Sequence, residues 1–344
     1  MNALIFHLAL NQDETLQLVQ ALVGVVYIGG LLVAANLGEK SVPWRVVAYV
    51  MLAAPALAVA FASVLGMLVV ALTGRLSADT GVSVERQVGG TLILFAAGIV
   101  SVLCLLPLVR RAVGRVLRNF RPDSPLHAVS LGLYFGTLLL FISLQVSTDQ
   151  LKQITQSGSS PPLWFIIATN QGPFVLLAFI GVGFPFRRSL AQALQRLGVY
   201  WPGWKWMLAS VGFAVLLVVF GAAFDQLMVK LTPQQTQDIQ NASDQLLKNV
   251  DGYIPAIALA LAAGIGEELL FRGALLPKLG NPLSALLFAA LHAQYAISLA
   301  TLEIFILGLV LGWLRRRAGT TGAIVAHAGY DMILLVFAVA FAGH

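Results

Sequence analysis

Charge is scarce in this sequence. Asp, Glu, Lys and Arg make up 10% of its 344 residues, against about a quarter in soluble domains, which excludes an ordinary water-soluble globular fold. Cysteine is nearly absent too. Cys104 stands alone inside an apolar run, so no intrachain disulfide is available. The pentad HExxH does not occur, which removes the usual zincin helix. The apolar stretch 3–10 has no basic residue before it and is followed by Asp13 and Glu14, unlike a cleavable signal peptide. No internal repeat is visible, and the two halves contain no matched pair of broken helices of the kind that transporters carry.

What the chain has instead is apolar length. Hydrophobic residues make up 58% of it, and runs long enough to cross ~30 Å of hydrocarbon recur throughout. The expected fold is all-α, a polytopic membrane bundle of about ten transmembrane helices. They are expected at 16–37, 46–73, 89–109, 126–146, 163–185, 206–224, 253–276, 282–297, 299–314 and 321–341. The short pair between 282 and 314 also reads as one re-entrant or strongly tilted unit.

The net charge of +6 does not mark a nucleic-acid binder, because the basic residues sit in short loops between apolar runs. With the N-terminus outside, cytoplasmic segments carry 16 of the 21 Lys and Arg residues. These are Lys40 and Arg45, five arginines over 110–121, Arg187, Arg188, Arg196 and Lys205, Arg272 and Lys278, and Arg315 to Arg317. Arg75, Arg86, Lys152, Lys230 and Lys248 fall outside. One alternation satisfies every loop, and both termini then face outward. The protein is expected in the plasma (inner) membrane if its host is bacterial, with membrane lipids as its solvent.

Two connections stand out. The segment 186–204 pairs a basic with an apolar face and ends in two tryptophans, as a helix lying in the cytoplasmic interface does. The segment 225–252 is Gln/Asp-rich and reads as an outer loop with a short helix. QSGSSPP at 156–162 divides an N-terminal four-helix region, 1–160, from a six-helix region, 161–344, whose motif core is 250–335.

Ionisable residues inside membrane spans are costly and are functional candidates by default. Here they cluster. Glu267, Glu268 and Arg272 lie in GIGEELLFRGALL, His292 in LLFAALHAQYA, and His327 with Asp331 in AIVAHAGYD. Glu268 and Arg272 are four apart, as are His327 and Asp331, and Phe288 lies one turn before His292. Glu267 points about 100° away from Glu268, so the two carboxylates should have different partners. Counted from the cytoplasmic helix ends, Glu267 lies roughly 13 Å deep, His292 roughly 15 Å, and His327 and Asp331 roughly 9 and 15 Å. The four are therefore expected to converge on one polar cavity in the cytoplasmic half. The bland readings are a structural Glu268–Arg272 pair, histidines that merely bridge helices, and a Phe288 that simply packs. Glu303 stands alone near an outer helix end and reads as snorkelling or capping, while His7, His127 and His344 sit at termini or a helix entrance.

A glutamate and a histidine converging on one water can deprotonate it for attack on an amide or ester carbonyl. A second histidine with a further hydrogen-bonding group can stabilise the oxyanion. The same inventory, Glu267, His292, His327 and Asp331, also suits a divalent metal such as Zn²⁺.

EELLFR fits EExxxR, FAALH fits FxxxH, and HAGYD fits HxxxN/D. In these three ordered motifs the sequence resembles the type II CAAX prenyl endopeptidases and their bacterial relatives, the CPBP intramembrane proteases, also called the ABI family. The resemblance is specific over about 250–335, looser from 163, and does not reach the first four helices. It implies an intramembrane endopeptidase in which Glu267 and His292 activate water, Glu268 and Arg272 hold the site in shape, and His327 with Asp331 binds the oxyanion. The implied substrate is a membrane-associated protein or peptide, including lipidated ones. Eukaryotic prenyl-protein enzymes carry Asn where Asp331 stands. An Asp donates to an oxyanion only when protonated, and it also binds metals, so glutamate-type and metallo-protease mechanisms both stay open. A non-catalytic immunity or scaffold protein on the same fold, and a proton-coupled transporter, are the rival classes.

Overall fold

The computed structural model describes residues 12–73, 82–156 and 161–341. The apolar stretch 3–10, His7, Arg75, His344 and the linker residues 157–160 lie outside the described residues. Among those described, the regular structure is helical: α1 (Gln12–Leu37), α2 (Val42–Thr73), α3 (Val84–Leu103), α4 (Pro107–Val116), α5 (Pro125–Ser147), α6 (Gln150–Gln156), α7 (Leu163–Val182), α8 (Leu190–Leu197), α9 (Trp204–Leu231), α10 (Pro233–Leu247), α11 (Tyr253–Leu279), α12 (Asn281–Ala290) and α13 (Leu299–Phe341). Eight of them, α1, α2, α3, α5, α7, α9, α11 and α13, are long and apolar enough to cross a membrane. The chain is an integral, multi-pass membrane protein.

The exact count of ten is not confirmed, since two of the expected regions take another form than separate long helices. The span expected at 282–297 leaves the α-helix after Ala290. Ten residues rise only about 15 Å, half the hydrocarbon thickness. The spans expected at 299–314 and 321–341 are the two arms of α13, which breaks at Gly319 (φ 71°, ψ 176°). In a continuous helix Glu303 and Tyr330 would lie about 40 Å apart. Here a Cβ on Gly221 would meet Glu303 Oε1 at 3.1 Å and Tyr330 Oη at 3.4 Å, so the chain doubles back at Gly319. Positive φ at this turn is open to glycine at little cost.

The expected interfacial segment contains α8, started by a capping box between Ser189 and Gln192. Its buried face, Ala193 and Leu197, packs on Leu269 and Ala274 of α11. Thr320 locks it to the Gly319 turn by donating from its N to Gly198 O (2.8 Å) and from Oγ1 to Leu197 O (2.5 Å). The expected outer loop is more helical than anticipated: α9 continues through Asp225 to Leu231, and α10 follows directly. The main apolar core joins Cys104, Leu131 and Tyr134 from the N-terminal helices to Phe271, Phe288, Leu307 and Leu311.

Candidate active site

Two membrane helices are not α-helical where they meet. α7 carries a π-segment at Ile167–Gln171, and α11 carries one at Leu269–Leu275, immediately after the paired glutamates. A π-turn frees backbone carbonyls that lipid cannot satisfy, so side chains must do so. Ser284 Oγ donates to Phe271 O (2.7 Å), and Arg315 Nε donates to Arg272 O (3.3 Å). Arg272 is therefore not a loop charge of the positive-inside kind. It is fully buried in a distorted helix within the bundle.

Around Arg272 every contact serves to hold the guanidinium. Its Nη1 donates to Glu268 Oε1 at 2.6 Å, its Nη2 to Gly308 O at 3.2 Å, and its carbon stands 4.2 Å from the centre of the Phe288 ring. Phe288 is thus more than filler: one face meets this cation and the ring packs tilted on His292, centroids 4.7 Å apart. Glu268 Oε1 also faces His327 Nδ1 at 2.8 Å. A carboxylate only accepts, so the His327 proton sits on Nδ1 in this contact. Arg272, Glu268 and His327 form one chain in which the arginine fixes the carboxylate and the carboxylate fixes the imidazole.

Glu267 faces elsewhere, as the helical geometry requires. Its Oε1 accepts from Gln171 Nε2 at 3.2 Å. Its Oε2 makes no hydrogen bond among the described residues and lies 3.9 Å from His292 Nε2 and 4.0 Å from His327 Nε2. The carboxylates do have different principal partners, yet His327 bridges them with one nitrogen each. His292 follows the last turn of α12, where its Nδ1 meets the Phe288 carbonyl at 2.8 Å. That carbonyl can only accept, so Nδ1 carries the proton and Nε2 presents a lone pair towards Glu267. Asp331 Oδ2 lies 3.5 Å from His327 Nε2, completing the convergence of Glu267, Glu268, Arg272, His292, His327 and Asp331.

Gln171 was not visible as a partner in the linear pattern, although the polar pair Asn170–Gln171 within an apolar run was a usable signal. Gly266 makes its approach possible, since a Cβ there would stand 2.7 Å from Gln171 Oε1. Tyr295 was also missed; its ring stacks on His292 at 6.0 Å and 7°. Glu303 is no snorkelling residue. It is 6% exposed, because the fold-back at Gly319 brings α9 and Tyr330 over it.

The donor separations bear on the metal alternative. Tetrahedral Zn²⁺ ligands stand about 3.3 Å apart at ~2.0–2.1 Å bonds, whereas the two imidazoles face Glu267 at 3.9 and 4.0 Å. His327 Nδ1 and His292 Nδ1 bond Glu268 and a carbonyl, which leaves both Nε2 atoms turned toward Glu267. Among the described residues no three His, Cys, Asp or Glu side chains are arranged to hold a metal ion. No preformed metal centre is present among the described residues, and no step is derived through one.

Residues 249–333 match the family model described as Type II CAAX prenyl endopeptidase Rce1-like. The chain carries a Rce1-like domain. All three motifs, from Glu267 to Asp331, fall inside the matched segment. No curated protein and no solved structure matches the chain. Together, the Rce1-like domain and its buried acid–imidazole cluster mark a protease-like enzyme.

Proposed function

We propose that the Rce1-like domain hydrolyses a peptide bond of a membrane-associated protein or peptide, using a water activated by Glu267 and His292. The observation that carries this reading is Glu267 Oε2, which has no hydrogen bond among the described residues and lies 3.9 and 4.0 Å from two imidazole nitrogens. Such separations are too long for direct hydrogen bonds and within the span of one shared water, since two bonds of about 2.8 Å reach ~4.0 Å when they meet at roughly 90° and ~4.6 Å at the tetrahedral angle. In the reaction the water oxygen bonds to the scissile carbonyl carbon, and its proton passes to Glu267. Negative charge then builds on the carbonyl oxygen beside His327 and Asp331, a step that requires a proton on His327 Nε2 as well as Nδ1, and on Asp331, for these groups to donate to it. The C–N bond breaks as Glu267 returns the proton to the departing amine. Glu268 and Arg272 act by holding His327 rather than by touching the substrate.

Within this reading the chain is a member of the CPBP, or ABI, branch, with the catalytic unit at 161–344. Residues 1–160 brace that unit, an assignment supported by the apolar core the two regions share. The substrate reaches the site laterally as an unwound membrane segment or a lipidated tail. The test uses the full chain in proteoliposomes with fluorogenic single-span and prenylated peptides. Cleavage by the wild type and none by Glu267→Gln is the expected result. Solute uptake into the same vesicles without cleavage of any peptide would overturn the reading.

A further inference from the structure

A second polar region lies away from the catalytic cluster, at the end of the bundle that the charge distribution assigns to the cytoplasm. A cavity of about 850 Å³ there is lined by Lys40, Arg187, Arg188, Arg196 and Arg315, with Phe186 at its wall. A smaller pocket of about 50 Å³ adjoins it, sharing Asn36, Arg187, Arg188 and Arg196 and adding Arg121 and Lys278. No Asp or Glu is among the described residues lining either.

The cations find mostly neutral partners. Arg187 Nη1 donates to Asn36 O at 3.0 Å, Arg188 donates to Val182 O, and Arg315 donates to the Arg272 carbonyl. Glu39 is the nearby acid, but it is engaged by Arg121 at 3.5 Å and by the Ser124 hydroxyl. Lys278 is the telling residue. It lines the smaller pocket, is only 6% exposed, and has no hydrogen bond or ion pair among the described residues. A largely buried lysine facing a pocket of like charge without an anion beside it is costly, and an added anion would relieve it. Burial and the charges of Arg187, Arg196 and Arg121 hold the Arg188 guanidinium below its ordinary value, which reports the same crowding of like charge.

We propose that Lys278, Arg187, Arg188 and Arg196 bind a phosphoryl anion. Guanidinium forks match its oxygens bidentately, and an ammonium adds a point charge. Either a phospholipid headgroup or a free phosphate presents this chemistry. Position favours the headgroup: the cavity borders α8, whose Leu190 is exposed, and the exposed Trp201 and Trp204 follow it, as at a membrane interface. Gly273 and Ala274 of the π-segment also line the pocket. An occupant therefore braces the helix that carries Glu267 and Glu268.

The test measures the melting temperature of the full chain in detergent, and the phospholipid phosphorus it retains, with added phosphatidylglycerol, phosphatidylcholine or inorganic phosphate. Phosphatidylglycerol is expected to raise the melting temperature saturably and phosphatidylcholine to leave it unchanged. Stabilisation by inorganic phosphate alone, with nothing added by phosphatidylglycerol, would keep the phosphoryl site and identify its ligand as soluble. Lys278→Met and Arg196→Gln should each weaken the effective lipid by roughly tenfold, the loss of one charge-assisted hydrogen bond. Arg196 is exposed, so its variant folds even where the buried substitution does not. The proposal is overturned when neither anion stabilises the wild type, or when both act equally on wild type and Arg196→Gln.

Discussion

Helices α2 and α11 are both long membrane spans, yet they are built in opposite ways. Of the most apolar window of α2, 11% is buried within the protein; for α11 the figure is 44%. α2 buries Ala48, Leu52, Ala60 and Ser63 and leaves Val50, Leu57, Phe61 and Leu68 on its surface. α11 buries Glu267, Glu268, Arg272 and Lys278. Lipid tails solvate a leucine as well as a protein core does, so burying apolar side chains gains little in a bilayer. Polar groups have no such alternative and must find one another. The interior of this bundle is therefore where its polarity is concentrated, and its surface is where substitutions should be tolerated.

The sharpest way to break that contrast is at its most polar point. Glu267→Gln should lower cleavage by about 10²–10⁴-fold, the usual contribution of a general base, with the melting temperature little changed, because the amide keeps the size and the Gln171 contact. A variant that retains activity would place the base elsewhere. Next in size is Arg272→Ala. It strands Glu268 without its cation and should cost about 3–5 kcal/mol, seen as lost monodisperse yield. The double variant Glu268→Gln/Arg272→Met tests whether the pair is only structural. It should recover much of the stability but not the activity, since His327 then loses the carboxylate that orients it. Recovery of both would reduce the pair to packing.

Asp331→Asn should have a smaller effect. An amide can still face His327 Nε2, and it donates to an oxyanion at every pH. Activity within about tenfold of wild type is expected, insensitive to chelators and without stoichiometric zinc in the purified protein. Lost activity restored by Zn²⁺ would instead make Asp331 a ligand and overrule the donor separations seen here.

Much of the site was legible because helical periodicity is rigid. Four-residue spacing placed Glu268 with Arg272 and His327 with Asp331, and similar depth on three segments foretold their meeting. What escaped were departures from that periodicity. The π-segment after Glu268 and the end of α12 at Ala290 cannot be read from hydropathy, which reports apolar content and not which carbonyl each amide meets. Gln171 belongs to a distant helix, and only tertiary packing across Gly266 brings it to Glu267. The burial of Glu303 follows from packing of α9 and Tyr330 over it, which the position of the Arg315–Arg317 segment does not specify. The expected span at 282–297 is helical only to Ala290, whereas the two expected at 299–314 and 321–341 are the arms on either side of Gly319, and the six spans before Tyr253 were found where expected, with ends shifted by up to several residues.

The mildest substitution tests the other side of the comparison. Phe61 lies midway along α2, is 65% exposed, and points away from the bundle. If lipid is its solvent, Phe61→Leu exchanges one apolar side chain for another in the same medium, with no cavity left behind. The expected change in stability is within about 0.5 kcal/mol, with cleavage unaltered. The same exchange at the buried Phe288 would remove a ring that faces Arg272 and His292, and it provides the internal control. Melting temperatures of both variants in one detergent check the point. A Phe61→Leu variant as impaired as the Phe288 one would mean that α2 packs against another protein surface, and the division between a lipid-facing α2 and a polar-cored α11 would fail.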